Sequence, residues 1–210
     1  MKLDDIYIVL CRPDEARNIG SACRAMANMG IKNLRIVGKK ADYDEEKVKI
    51  LAIHAFSIWE NAVFFDSIEE ATKDCYVSAG TTRRRGKKRK EWLLTPDEFS
   101  TKVNDIETGK VAVIFGNERT GLTDEELECC TLGVKIPTDE EFGSLNLSHA
   151  VQIICYEIYK HLKVPTLTGY TPITLERLSK TVTSLTDDLK KVGFFSVTGR
   201  PEMENFWTSV

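Results

Sequence analysis

Four short segments of the 210-residue chain join glycines to polar or charged side chains, as ligand-binding loops do. The first is Asn18-Ile19-Gly20-Ser21-Ala22-Cys23-Arg24. Asn18 reads as a helix N-cap and Gly20 permits close backbone approach. Arg24 sits among small and apolar residues, so its guanidinium needs an anion, either in a ligand or in a surface salt bridge. The second runs from Gly80 to Lys90, where Arg83, Arg84, Arg85, Lys87, Lys88, Arg89 and Lys90 make seven of eight consecutive residues basic. Following a buried strand and a Gly-Thr-Thr turn, such a run favours phosphate binding over an idle solvated face. Trp92 beyond it either stacks on a base or anchors the return of the loop. The third, Phe115-Gly116-Asn117-Glu118-Arg119-Thr120-Gly121-Leu122, suits a nucleotide-like ligand held against backbone groups. It is not a P-loop, because no Lys-Ser/Thr follows the second glycine. GxGxxG is also missing from the chain, so ATPase and dinucleotide readings lose their support. The fourth is Ile136-Pro137, a polar tract to Phe142, and Gly143-Ser144-Leu145-Asn146-Leu147-Ser148. Ser144 reads as the cap of a long helix whose first turn offers free N–H groups.

These segments need elements to hold them, and the pattern predicts an α/β domain with a parallel sheet covered on both faces. Strands are expected at 6–10, 34–37, 62–65, 75–79, 111–115 and 133–136. Helices are expected from Asn18 to Met29, with Gly30 as the stop, around Ile50 to Phe56, and from Ser144 to Leu162. Loops that follow strands gather at one end of a parallel sheet, which is where ligands bind in open α/β folds. Residues 163–170 have linker composition. Thr171 to Lys191 then predicts an amphipathic helix with a stripe of Leu175, Leu178, Val182, Leu185 and Leu189. From Arg200-Pro201 a further helix begins and ends after about two turns, as a segment cut short or an arm docking elsewhere. The expected division is a domain over 1–163 and a helical extension over 164–210.

Composition narrows the class. The chain carries 29 Lys+Arg against 32 Asp+Glu, a net charge of −3, and 42% hydrophobic residues. That excludes a disordered chain and a collagen-like fibre, and no apolar run approaches a membrane span. The opening MKLDDIYIVLCRPDEARNIG is not a secretory signal, so a cytoplasmic protein is expected. The mild acidity hides a strong asymmetry: the seven positive charges of 83–90 leave −10 on the rest of the chain. Cys11, Cys23, Cys75, Cys129, Cys130 and Cys155 follow no CxxC or zinc-finger spacing and are expected as reduced core thiols. With His54, His149 and His161 equally scattered, no metal is expected.

Taken together, NIGSACR at 18–24, VIFGNERTGL at 113–122 and IPTDEEFGSLNLSHAVQIICYE at 136–157 resemble the three motifs of the SpoU (TrmH-type) RNA 2′-O-ribose methyltransferases of the SPOUT superfamily. GTTRRR at 80–85 with Trp92 is similar to the loop of the TrmJ-like subgroup, which methylates the tRNA anticodon loop. The resemblance covers roughly residues 5–162. It implies an α/β SPOUT fold with a C-terminal trefoil knot, S-adenosylmethionine bound bent in the knot loops, and a homodimer that completes the site. Carried over by position, it implies a cofactor pocket of Thr81, Thr82, Arg83, Gly116, Ile136, Gly143, Ser144 and Leu145. Ile136 and Leu145 would supply apolar walls and backbone groups for adenine. The sequence departs from the subgroup at two of these positions, with Arg83 where Ala is usual and Gly143 where Ser or a similar polar residue is common.

The implied catalytic set is Arg24, activating the ribose hydroxyl with an adjacent RNA phosphate, Asn18 positioning the first motif, Glu118 orienting the arginine or the loop, and Ser144 with Asn146 holding substrate or knot. Arg84, Arg85, Lys87, Lys88, Arg89 and Lys90 are the expected RNA contacts. The substrate implied is tRNA, with rRNA second and no membrane partner. The competing expectation is a non-catalytic RNA-binding or assembly protein on the same fold.

Overall fold

The computed structural model describes residues 1–83, 93–163, 174–196 and 199–209. The chain divides into two compact units, Met1–Pro165 and Thr166–Val210. In the first, the strands are β1 (Ile6–Cys11), β2 (Asn33–Val37), β3 (Val63–Phe65), β4 (Val77–Thr81), β5 (Leu93–Leu94), β6 (Val111–Phe115) and β7 (Leu132–Val134). The helices are α1 (Ala16–Asn28), α2 (Glu45–Ala52), α3 (Phe56–Glu60), α4 (Ile68–Thr72), α5 (Pro96–Asp105), α6 (Asp124–Glu128) and α7 (Leu147–Lys163). The seven strands form one sheet in the order β3-β2-β1-β6-β4-β7-β5, and every neighbouring pair is parallel. The two late strands are inserted: β6 lies between β1 and β4, and β7 between β4 and β5.

Period-two alternation divides the apolar strand residues between two cores. Ile6, Ile8 and Leu10 of β1, with Val111, Val113 and Phe115 of β6, face a large core with residues of α1, α2, α3, α5 and α7. Val9, Cys11, Ala112 and Ile114 face a smaller core closed by α4 and α6, through Ile68, Ala71, Leu127 and Cys130. Both faces are covered, which is why these strands read as continuous apolar runs. In the larger core α1 lies hard against α2, since a Cβ on Gly20 would stand 2.2 Å from the Val48 carbonyl oxygen. The close approach allowed by Gly20 is therefore used between helices.

Several boundaries differ from expectation, each for a local reason. Strand β4 starts at Val77, just after the Tyr76 N–H bonds to the Lys110 carbonyl ahead of β6, and it runs on to include Gly80 and Thr81. The charged stretch 45–49 is itself the start of α2, capped by Asp44, and the helix ends at Ile53, whose φ is 52°. Helices α5 and α6 carry capping boxes, Thr95 with Glu98 and Thr123 with Glu126, a signal written plainly as T-x-x-E. Cys11, Cys23, Cys130 and Cys155 are buried, Cys75 is half-buried and Cys129 is exposed; all six are free thiols. Burial pushes Cys11 and Cys23 up to about 12, so both stay protonated at neutral pH.

In the second unit, α8 (Leu175–Lys191) is capped by Thr174 and α9 spans Arg200–Ser209. Of the expected stripe, Val182 is buried while Leu185 is exposed. The two helices are joined by polar groups: buried Thr186 donates to Glu204, which also accepts from Arg200, and Arg200 pairs with Asp187. Among the described residues no helix is long and apolar enough to cross a membrane.

Candidate functional site

Three loops meet at the carboxyl ends of β4, β6 and β7 and line an open cleft with a cavity volume of about 170 Å³. Thr81, Thr82 and Arg83 come from the first loop, Gly116 from the second, and Ile136, Gly143, Ser144 and Leu145 from the third. All eight residues expected at a cofactor pocket therefore line one cavity. Phe115, Leu122, Val134, Leu147 and Ala150 extend its apolar wall, and Asn117, Thr120 and Thr138 add polar groups.

The loops are braced before any ligand arrives. Thr81 donates its hydroxyl to the Ile114 carbonyl at 2.9 Å, and the Thr82 N–H bonds to the Val134 carbonyl at 2.9 Å. The 116–122 loop folds back on itself, with the Gly121 N–H on the Asn117 carbonyl at 2.8 Å. Only glycine serves at 116, because a Cβ there would stand 2.2 Å from the Leu122 nitrogen. Asn117, whose role is not evident from the sequence alone, is the main brace. Its amide donates to the Arg12 carbonyl and to Asp14, both at 2.8 Å, while its oxygen accepts the Arg119 N–H at 2.9 Å. The signal was an asparagine directly after a strand-ending glycine, a common site for side-chain-to-backbone turns.

The catalytic residues expected from the resemblance separate into two groups. Glu118 lines the cleft and reaches across to the beginning of α1, accepting from the Asp14 N–H at 2.7 Å and from the Asn18 side chain at 2.9 Å. Asn18 in turn accepts from the Asn146 amide at 3.1 Å. One chain of hydrogen bonds thus ties the second-motif loop, α1 and the start of α7. Asn18 is not the N-cap: α1 begins at Ala16, and the Glu118 carboxylate acts from another loop beside its N-terminus, where helix-dipole attraction for an anion is strongest. Nor does Ser144 cap the long helix. α7 begins at Leu147, and Asn146 accepts the Ser148 N–H at 2.9 Å, leaving Ser144 in the cleft wall.

Arg24 stands apart. It is exposed on α1, does not line the cleft of its own chain, and has no hydrogen bond or ion pair among the described residues. The surface salt bridge that the sequence left open is not formed among the described residues, and the Glu118 carboxylate bonds to Asp14 and Asn18, not to this guanidinium. Arg84, Arg85, Lys87, Lys88, Arg89, Lys90 and Trp92 lie outside the described residues, as do residues 164–170 of the expected linker and 171–173 of the helix expected after it. The two positions that depart from the subgroup pattern face one another: a Cβ on Gly143 would stand 3.3 Å from Cδ of Arg83. A bulky side chain at 83 and the lack of one at 143 thus occupy shared space.

Known proteins agree with this geometry. The chain is 40% identical over 156 residues to the tRNA (cytidine-2′-O-)-methyltransferase TrmJ of Methanocaldococcus jannaschii, covering 73% of this chain and 67% of that protein. It is 42% identical over 159 residues to the tRNA (cytidine/uridine/adenosine-2′-O-)-methyltransferase TrmJ of Pseudomonas aeruginosa, covering 74% and 61%. The aligned part thus spans about two thirds or less of these relatives' own length. A probable methylase family protein from Haemophilus influenzae superposes with a TM-score of 0.73 and 34% identity, over 98% of this chain and 86% of that one. The model of the SpoU rRNA Methylase family matches residues 5–156, and with its parallel sheet and three-loop cleft the chain belongs to that family.

Proposed function

We propose that this chain is an S-adenosylmethionine-dependent RNA methyltransferase acting on a ribose 2′-hydroxyl, with tRNA at its anticodon loop as the substrate. The observation that carries this reading is the convergence of all eight expected donor-site residues, from three separate segments, on one braced cleft. The fit is chemical as well as spatial. Ile136 and Leu145 offer an apolar wall for a purine, while Thr81, Thr82 and Ser144 leave the cleft partly polar. Strands β6 and β7 slotted inside the sheet support the trefoil knot expected of the fold.

When bound, S-adenosylmethionine supplies a methyl group already activated by a sulfonium. The residues then have to align the reactants and handle the proton of the 2′-hydroxyl. Arg24 does the second task by charge: a guanidinium is a reluctant base, but it stabilises the developing alkoxide and gathers the adjacent RNA phosphate, which accepts the proton. Glu118, Asn18 and Asn146 position α1, and hence Arg24, relative to the donor loops. Because Arg24 does not line the cleft of its own chain, a homodimer completes the site. Exposed Ile50, Leu51 and Ile53 around the end of α2 support a covered surface. The basic residues 84, 85 and 87–90 bind RNA phosphates. Residues 1–163 form the catalytic domain, 164–210 a helical extension, and the cytoplasm is the compartment.

Incubation with methyl-labelled S-adenosylmethionine and bulk tRNA, followed by digestion to nucleosides, tests the reading. Label in a 2′-O-methyl nucleoside is expected. Label on a base contradicts it, and RNA binding without label points to the non-catalytic alternative.

A further inference from the structure

Among the described residues, three charged side chains line the cleft: Arg83, Glu118 and Arg119. Two of them are already matched. The Glu118 carboxylate accepts from the Asp14 N–H and the Asn18 amide, and Arg119 pairs with Asp14 at 2.9 Å. Arg83 has no hydrogen bond or ion pair among the described residues, although it is an exposed member of the same lining. Its stem has a defined track, since Cδ passes 3.3 Å from where a Cβ on Gly143 would stand. A side chain at 143 would narrow that track; glycine leaves it open. Among the described residues the cleft therefore presents one guanidinium without a partner, in a lining that also holds the apolar residues Ile136 and Leu145 that suit a purine.

From this arrangement, and resting on the donor proposed above, we infer that Arg83 binds the methionine carboxylate of S-adenosylmethionine. The donor has one anionic group, at the end remote from its purine. A planar guanidinium meets a carboxylate through two parallel N–H···O bonds, a geometry that an ammonium on Lys cannot reproduce. If the purine takes the apolar wall, the amino-acid end is left to the polar and charged lining, of which Arg83 is a member. Arg83 is thus a donor-specificity residue, reading the carboxylate that distinguishes the intact methyl donor from adenosine sulfonium compounds without it.

Calorimetric titration with S-adenosylmethionine and with decarboxylated S-adenosylmethionine isolates this contact, because the two ligands differ only in the carboxylate. The unaltered chain is expected to prefer the carboxylate-bearing ligand by roughly tenfold or more. Arg83→Ala should abolish that preference by weakening S-adenosylmethionine alone, and Arg83→Lys should restore only part of it. An exposed side chain is removed, so thermal melting of the variants should be unchanged. A preference that survives in Arg83→Ala, with tRNA affinity reduced instead, would overturn the inference and assign Arg83 to the phosphate-binding surface. Failure of the unaltered chain to bind either ligand would overturn the donor assignment itself, together with this one.

Discussion

Arg35 and Arg24 occupy two regions of the same domain and are treated in opposite ways. Arg35, in β2, is buried and fully matched: it donates to the Ala71 carbonyl and to both oxygens of Asp74 at 2.6–2.9 Å, and its guanidinium carbon lies 4.0 Å from the Tyr7 ring centroid. Lys110 adds a second cation to Asp74 at 2.7 Å. Arg24, in α1, is exposed and has no partner among the described residues. The contrast teaches where charge is structural and where it is held available. A buried cation without its anion would be costly, so Arg35 comes with a complete set of partners. A solvated cation has no such requirement, and α1 carries Arg24 without committing it.

Substitutions can break or sharpen that contrast. The largest effect is expected from Arg24→Ala, which should lower methyl transfer by about 10²-fold or more while leaving donor affinity and melting temperature unchanged. Near-normal single-turnover rates would remove Arg24 from the chemistry. Next, neutralising Arg84, Arg85, Lys87, Lys88, Arg89 and Lys90 together should weaken RNA binding roughly 10- to 100-fold and flatten its salt dependence. Filter binding across a salt series measures this, and an unchanged slope would reject the phosphate role. Glu118→Ala probes the bridge between the two kinds of site, since Glu118 lines the cleft and also holds α1. It should cost about 1–2 kcal/mol of stability and roughly tenfold in turnover, read from melting curves and single-turnover assays. A stability loss with full activity would make it structural only.

The smallest effect should come from the matched region. Arg35's hydrogen bonds hold the Asp74 carboxyl well below its ordinary value of 3.8, against the opposing effect of burial and with help from Lys110. A depressed folded-state pKa stabilises the protein above the unfolded value and loses that contribution as pH falls through the folded one. Asp74→Asn should therefore cost about 1–2 kcal/mol at neutral pH, discounted for the exposure of Asp74. The deficit should be constant down to about pH 5 and shrink below about pH 4. Denaturant unfolding across that range checks it, and turnover should be unaffected. A deficit that grows on acidification would show the sign to be wrong.

How much was legible depended on the range of the interaction. Strand positions in β1 and β6 could be read because burial on both faces demands unbroken apolar runs. The loops that carry the cleft could be found because their glycines and polar groups are local in sequence, and parallel strands bring their following loops to one end, whereas the eight pocket residues within them were implied by the family resemblance. The cap of α7 was misplaced by two residues, because Ser144 and Asn146 are equally good candidates until the helix start is known. Asn18 was misassigned for a deeper reason: its partner, Glu118, lies 100 residues away.

What the sequence determined by itself was the set of groups and their approximate stations: an α/β sheet, three loops at one end of it, and an arginine on the first helix. The tertiary structure decided which charges are satisfied. Arg24 and Arg35 are the same residue type in regular elements, and nothing within a few positions of either distinguishes them. Asp74 reaches Arg35 and no described acid reaches Arg24, because pairing depends on distances across the fold rather than along the chain. The same cause leaves Arg83 without a partner among the described residues and gives its stem the space beside Gly143.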